Sequence, residues 1–299
     1  MQKYIIMGFK GAYKHKTSAS KTGLFFLLIF VSVILHTILA FCLIAVLPST
    51  SIEFIWNQEL SNQSSVNTLK LFQLISSIGL FIAPTLLYSY LTGFDFKFRI
   101  LIRQSVIIVL AIMMLITPFI ALLLEWNMQI PLPQYLSHFD QNSEAIIRAF
   151  LKMSTFWDLF YTLIVLAIIP AIGEELLFRG YLQQKISVWL KNYHVGILIT
   201  AFLFSVMHLD IYGVLPRFVL GVLLGYFFYW SGSVWLPILA HFVNNAQAVV
   251  FSYPTFKTDL SIYSVLNKGQ VDPILAYFSF FSVLLLLYLL FKCLSIKKD

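Results

Sequence analysis

The chain alternates between long apolar runs and short polar ones. Runs at 24–47, 69–91, 101–124, 157–178, 195–211, 214–230, 234–252 and 273–293 reach or approach the ~20 residues that cross a bilayer as a helix. They predict an all-α fold, a polytopic transmembrane helix bundle of about eight spans. The fifth and sixth runs are short, with Gly213 and Pro216 between them. Ser231-Gly232-Ser233 and Pro131-Leu132-Pro133 supply turn chemistry. The longest polar connections, 48–68, 125–156 and 253–272, have room for surface helices at most, so no soluble domain is expected. Three parts follow: 1–150 with spans one to three, 151–255 as the part that carries chemistry, and 256–299 with the last span and tail.

From Tyr181 to Tyr193 the pattern changes. Leu182, Ile186, Trp189 and Leu190 share one helical face, while Gln183, Gln184, Lys185 and Lys191 take the other. That is an interfacial amphipathic helix, or a continuation of the fourth span into the headgroups.

Composition agrees with the pattern. The chain is 60% hydrophobic and 11% charged, against roughly 45–50% and about 25% in soluble domains. The net charge of +7 is therefore no sign of nucleic acid, because Lys and Arg sit in short loops beside apolar spans. The basic segments are the N-terminal tail, the 92–103 loop (Lys97, Arg99, Arg103), the 179–194 segment (Arg179, Lys185, Lys191) and the C-terminal tail (Lys292, Lys297, Lys298). They alternate with loops carrying Glu53, Glu59, Glu125, Asp140 and Glu144, which predicts cytoplasmic termini and eight crossings. Arg148, Lys152, Lys257 and Lys268 dissent. The run from Leu24 to Leu47 exceeds the ~7–15 residues of a signal h-region, so a retained span is expected. The compact loops and the lack of a targeting presequence point to a bacterial plasma membrane. Cys42 and Cys293 lie in apolar spans near the two ends and read as small apolar fillers.

Three polar groups interrupt the apolar runs. Ionisable side chains at bilayer depth cost at least ~2.5–3.5 kcal/mol and usually face a bundle interior. The first group is Glu174-Glu175 with Arg179. Arg179 follows Glu175 by one helical turn and can pair with it, while Glu174 points roughly 100° away and stays free. The second is Phe204-Ser205-Val206-Met207-His208, with Phe204 and His208 on one face. The third is His241-Phe242-Val243-Asn244-Asn245, with His241 and Asn245 stacked likewise. A hairpin turning near Lys191-Asn192-Tyr193-His194 would put Glu174, seventeen residues before Lys191, beside His208, seventeen after it.

Such a constellation suits hydrolysis. A carboxylate and an imidazole sharing a water make a general base. A second His with an Asn supplies two donors for the oxyanion of a tetrahedral intermediate. Glu174, His208 and His241 could instead ligate zinc with an open position, although the spacing is not that of a His-Glu-x-x-His helix. A proton-coupled transporter is a second class, since buried Glu and His also relay protons, but no repeated half or paired broken helices support it. A third class is a non-catalytic membrane partner.

Glu-Glu-x-x-x-Arg at Glu174–Arg179, Phe-x-x-x-His at Phe204–His208 and His-x-x-x-Asn at His241–Asn245, in this order, resemble the CPBP family of intramembrane proteases. These are the CAAX-processing and bacteriocin-processing (Abi) enzymes. Gly221-Val222-Leu223-Leu224-Gly225 and Gly232 to Ala240 also look like the family's segment between its second and third motifs. The resemblance covers about 155–250. It implies an eight-helix membrane endopeptidase whose pocket opens toward the cytosol. By carry-over, Glu174 with His208 activates water, His241 and Asn245 stabilise the oxyanion, and Glu175 with Arg179 and Phe204 order the site. Glutamate-type and zinc-type mechanisms both exist as proposals within the family; the metal-free one, with no cofactor, is favoured here. The expected partners are a membrane-associated protein or peptide substrate and the lipid bilayer, with no nucleic acid. A prenylated CAAX tail, a bacteriocin leader and another membrane peptide all stay open as substrates.

Overall fold

The computed structural model describes residues 8–46, 60, 62–131, 133, 145–256 and 271–295. The rest, including Leu132, Lys257, Lys268, Lys297, Lys298, Glu53, Glu59, Asp140 and Glu144, lies outside the described residues. All regular structure among the described residues is helical: α1 Ser18–Val46, α2 Gln63–Thr92, α3 Arg103–Leu115, α4 Thr117–Met128, α5 Phe156–Leu190, α6 Tyr193–Val206, α7 Val214–Ser231, α8 Trp235–Val250 and α9 Pro273–Ser295.

Five of these, α1, α2, α5, α7 and α9, are long and apolar enough to cross a membrane; α3 and α4, bent by 42° at their junction, count as a sixth if they form one span. Pro118 at the start of α4 explains the break, since its ring and missing N–H do not fit a continuous helix there. Eight full-length spans are therefore not what the helices give. The run expected at 195–211 is helical only to Val206, and the one at 234–252 yields a 16-residue α8. At ~1.5 Å per residue, helices of 14 and 16 residues fall short of a ~30 Å hydrocarbon core. The amphipathic stretch after Tyr181 is the end of α5, not a separate helix. The outward faces of α1 and α9 expose Phe26, Phe30, Phe278 and Phe281, as a lipid-facing surface would. The chain is thus an all-helical, multi-span membrane protein.

Helix ends follow local chemistry. Thr155 and Asp158 form a capping box that starts α5: Thr155 Oγ1 accepts from the Asp158 amide at 3.1 Å, and the Asp158 carboxylate accepts from the Thr155 amide at 2.8 Å. α5 stops at Lys191 in the left-handed region (φ 52°), and Asn192 at once caps α6 by accepting from His194 and Val195 amides. The α5–α6 hairpin thus turns where the sequence places it.

The bundle has two distinguishable ends. At the α5–α6 end, the 11–13 backbone bonds to residues 90–91, and the Val234 amide donates to the Lys97 carbonyl. At the α6–α7 end, Asn127 Nδ2 donates to the Ile211 and Tyr212 carbonyls, and the Val271 amide donates to Glu125. One core cluster joins α3, α4, α7, α8 and α9 around Ile112, Phe227 and Leu236. Another, rich in aromatic rings, joins α1, α2, α5, α6, α7 and α8 around Phe25, Tyr88, Phe178 and Tyr181.

Candidate active site

α5 carries Glu174 and Glu175 between two widened, π-type segments, Ile164–Ile168 and Leu176–Gln183, the second of which holds Arg179. The first sits immediately before Pro170, whose missing N–H and clashing ring a wider turn accommodates. Gly173 lets α2 approach closely: a Cβ there would stand 2.6 Å from Phe81 Cβ. Glu174 and Glu175 follow.

The two carboxylates have separate fates. Glu175 is fully buried, and its Oε1 accepts from Arg179 Nη1 at 2.6 Å and from His241 Nδ1 at 2.8 Å. Arg179, also fully buried, donates through Nη2 to the Gly221 carbonyl at 2.9 Å and stacks its guanidinium 4.7 Å from the Phe204 ring centre. One turn on, Gln183 Nε2 donates to the Gly225 carbonyl at 3.0 Å, so two α5 side chains read two bare carbonyls of α7. At the same glycines α7 packs on α6, where a Cβ on Gly225 would meet Ile197 at 2.7 Å.

Glu174 keeps out of this network. Its Oε2 lies 3.8 Å from His208 Nε2 and has no hydrogen-bond partner among the described residues. His208 Nδ1 donates to the Phe204 carbonyl at 2.9 Å, which leaves Nε2 of the neutral ring as an acceptor facing the carboxylate. The hairpin register inferred from sequence separation therefore does bring Glu174 and His208 together. His208 stands two residues beyond the end of α6, on a connection held by Asn127, rather than inside a span.

Both face a cavity of about 350 Å³ that is also lined by His241, Asn244, Asn245, Phe204, Arg217 and Leu166. Asn245 Nδ2 donates to the Leu166 carbonyl at 3.0 Å, a group to which Pro170, four residues on, has no N–H to offer, and its Oδ1 accepts from Asn244 at 3.1 Å. One N–H of the Asn245 amide has no acceptor among the described residues. Phe204 packs edge-on against both histidines, with ring centres 5.0 Å from His208 and 5.7 Å from His241. All seven residues singled out from the sequence are thus gathered around one site.

Among the described residues no three His, Cys, Asp or Glu side chains come together as metal ligands. Nδ1 of His241 is held by Glu175 and Nδ1 of His208 by a carbonyl, which leaves Nε2 of each ring as the nitrogen free for chemistry.

Sequence reasoning missed three contributors. Arg217 lines the cavity and pairs with Asp210, flanking Gly213; two opposite charges around a short polar break were the available signal. Gln73 and Asn244 also line it; Gln73 is a lone amide with no spacing to read, while Asn244 stood inside the third motif beside Asn245.

Residues 156–247 match the family described as type II CAAX prenyl endopeptidase Rce1-like. An uncharacterised protein of Bacillus subtilis (strain 168), YpbD, is 30% identical over 88 residues, which cover 28% of this chain and 42% of that protein. The chain thus spans less than half the length of this relative. No solved structure matches. The site-bearing part of the chain is thus similar to the Rce1-like CAAX endopeptidase (CPBP) family.

Proposed function

We propose that this protein is an intramembrane endopeptidase that hydrolyses a peptide bond of a membrane-associated protein or peptide with water activated by Glu174 and His208. The observation that carries the reading is the 3.8 Å gap between Glu174 Oε2 and His208 Nε2. Both atoms are acceptors, so a water between them donates both its hydrogens and turns its lone pairs to the cavity. The carboxylate takes the water proton as the oxygen attacks the carbonyl carbon, and delivers it to the departing amine.

The oxyanion that forms needs donors. The spare N–H of Asn245 is one, and His241 Nε2 is the other when both ring nitrogens carry a proton, Nδ1 being held by Glu175. Glu175 and Arg179 are positioning residues: one carboxylate oxygen fixes the His241 ring, and the guanidinium fixes that carboxylate. No step uses a metal.

The proposed setting is a bacterial plasma membrane, with cytoplasmic termini and eight crossings in which α6 and α8 count as short spans. Supporting it, Lys10, Lys14, Lys16, Lys97, Arg99, Arg103, Lys191 and Lys292 gather at the α5–α6 end. The substrate is a prenylated tail, a leader peptide or another membrane peptide, and nucleic acid has no part.

The test is cleavage of peptide libraries by detergent-purified protein. Parent protein should cut and Glu174→Ala should not. Equal cutting by both, or proton flux without any cutting, would contradict the reading.

A further inference from the structure

We infer that the substrate is selected by a wall outside the family-matching segment: the short helix 145–150, whose Phe150 meets a substrate side chain and is latched in place by Lys70. This selection presupposes the protease reading proposed above, and it decides which peptides that site accepts.

Every residue given a part in the chemistry lies within 156–247, the segment that matches the family. The cavity extends beyond that segment. Gln73 on α2, Met113 on α3, and Ile146, Ile147, Phe150 and Leu151 just before α5 also line it. An apolar wall does nothing to a peptide bond, but it sets which side chain fits beside one. Catalytic groups and this wall therefore have separate sources in the chain.

The stretch before α5 is amphipathic. Residues 145–150 are helical, and Ile146, Ile147, Phe150 and Leu151 recur at the spacing of one helical face. That face lines the cavity, while Arg148 and Lys152 are exposed on the other. Phe150 clusters with Val66 and Val165, and Leu151 with Leu159 and Val249, so the helix lies across α2, α5 and α8.

Lys70 holds it there. Fully buried on α2, it donates through Nζ to Thr162 Oγ1 at 2.7 Å and stands 5.8 Å from the Phe150 ring centre. Thr162 Oγ1 in turn donates to the Phe150 carbonyl at 3.4 Å. Ring and backbone of Phe150 are thus both tied to one ammonium. Burying a cation beside a neutral hydroxyl is costly, and an apolar side chain of similar volume would fill the space without that cost. The lysine therefore does more than pack: it fixes the ring that bounds the cavity. With Leu166 and Leu220 on other sides of the same space, that ring leaves room for an aliphatic side chain and closes the site to an aromatic one.

The experiment uses detergent-purified full chain and peptides that the parent cuts, varied by one residue on either side of the cut. The parent should prefer aliphatic residues at one of these positions. Phe150→Ala should raise kcat/KM for an aromatic residue there, relative to an aliphatic one, by about tenfold; Phe150→Leu, a milder change, serves if Phe150→Ala does not fold. Lys70→Met should broaden the preference in the same direction without lowering the Tm, and a preference as narrow as the parent's would overturn the latch. A purely structural helix would instead lower every rate in parallel with the Tm. Such a parallel loss, or an unchanged preference in the Phe150 variants, overturns the inference and leaves the protease reading standing. Failure of the parent to cut any peptide overturns both.

Discussion

Two adjacent glutamates with different partners define the site at the scale of single residues. Glu175 shares Oε1 between Arg179 and His241, while Glu174 is 3.8 Å from the free nitrogen of His208. Arg179→Ala leaves Glu175 buried without its cation, so it should cost about 3–5 kcal/mol of stability as well as activity, read as a lowered Tm and turnover. Asn245→Ala removes one oxyanion donor and should lower kcat ~10²–10³-fold with little change in Tm; a wild-type rate would remove Asn245 from the chemistry. The Glu175–Arg179 pair was legible because both lie on one helix, one turn apart. The bond from His241 to Glu175 was not, because it spans 66 positions and depends on how α8 rotates against α5. That bond changes the reading of His241, which donates to the cavity only in its doubly protonated form.

Glycines and prolines set the geometry of the elements. Pro170 has no N–H for the Leu166 carbonyl four residues before it, which Asn245 satisfies instead, and Gly173 brings α2 within contact of α5 beside Glu174. Gly173→Ala should force the two helices apart at a cost of roughly 1–3 kcal/mol. It should also lower turnover by moving Glu174 relative to His208; unchanged Tm and rate would show that the contact is slack. The sequence located most helices within a few residues, because apolar length and caps such as Thr155 and Asn192 are local signals. It overestimated α6, since Val206–Leu209 is as apolar as a helix interior while the chain in fact turns there to present His208. Apolarity alone cannot distinguish a helix end inside a bundle from a continuing span.

For the whole molecule, the catalytic groups and one wall of their cavity come from different parts of the chain. A reporter fused after Asp299 and active only in the cytoplasm should be active, as cytoplasmic termini require; activity solely of an exported-type reporter would refute the proposed orientation. The bundle class followed from composition, whereas the walls of the cavity followed only from packing of side chains far apart in the chain. The measurement that bears most directly on the account is the turnover of Glu174→Gln beside its Tm. Gln keeps the size and hydrogen-bonding capacity of the side chain but cannot take a proton from water, so cleavage should collapse while the Tm stays at the parent value. Cleavage at the parent rate by a folded Glu174→Gln protein would contradict the assignment of Glu174 as the base.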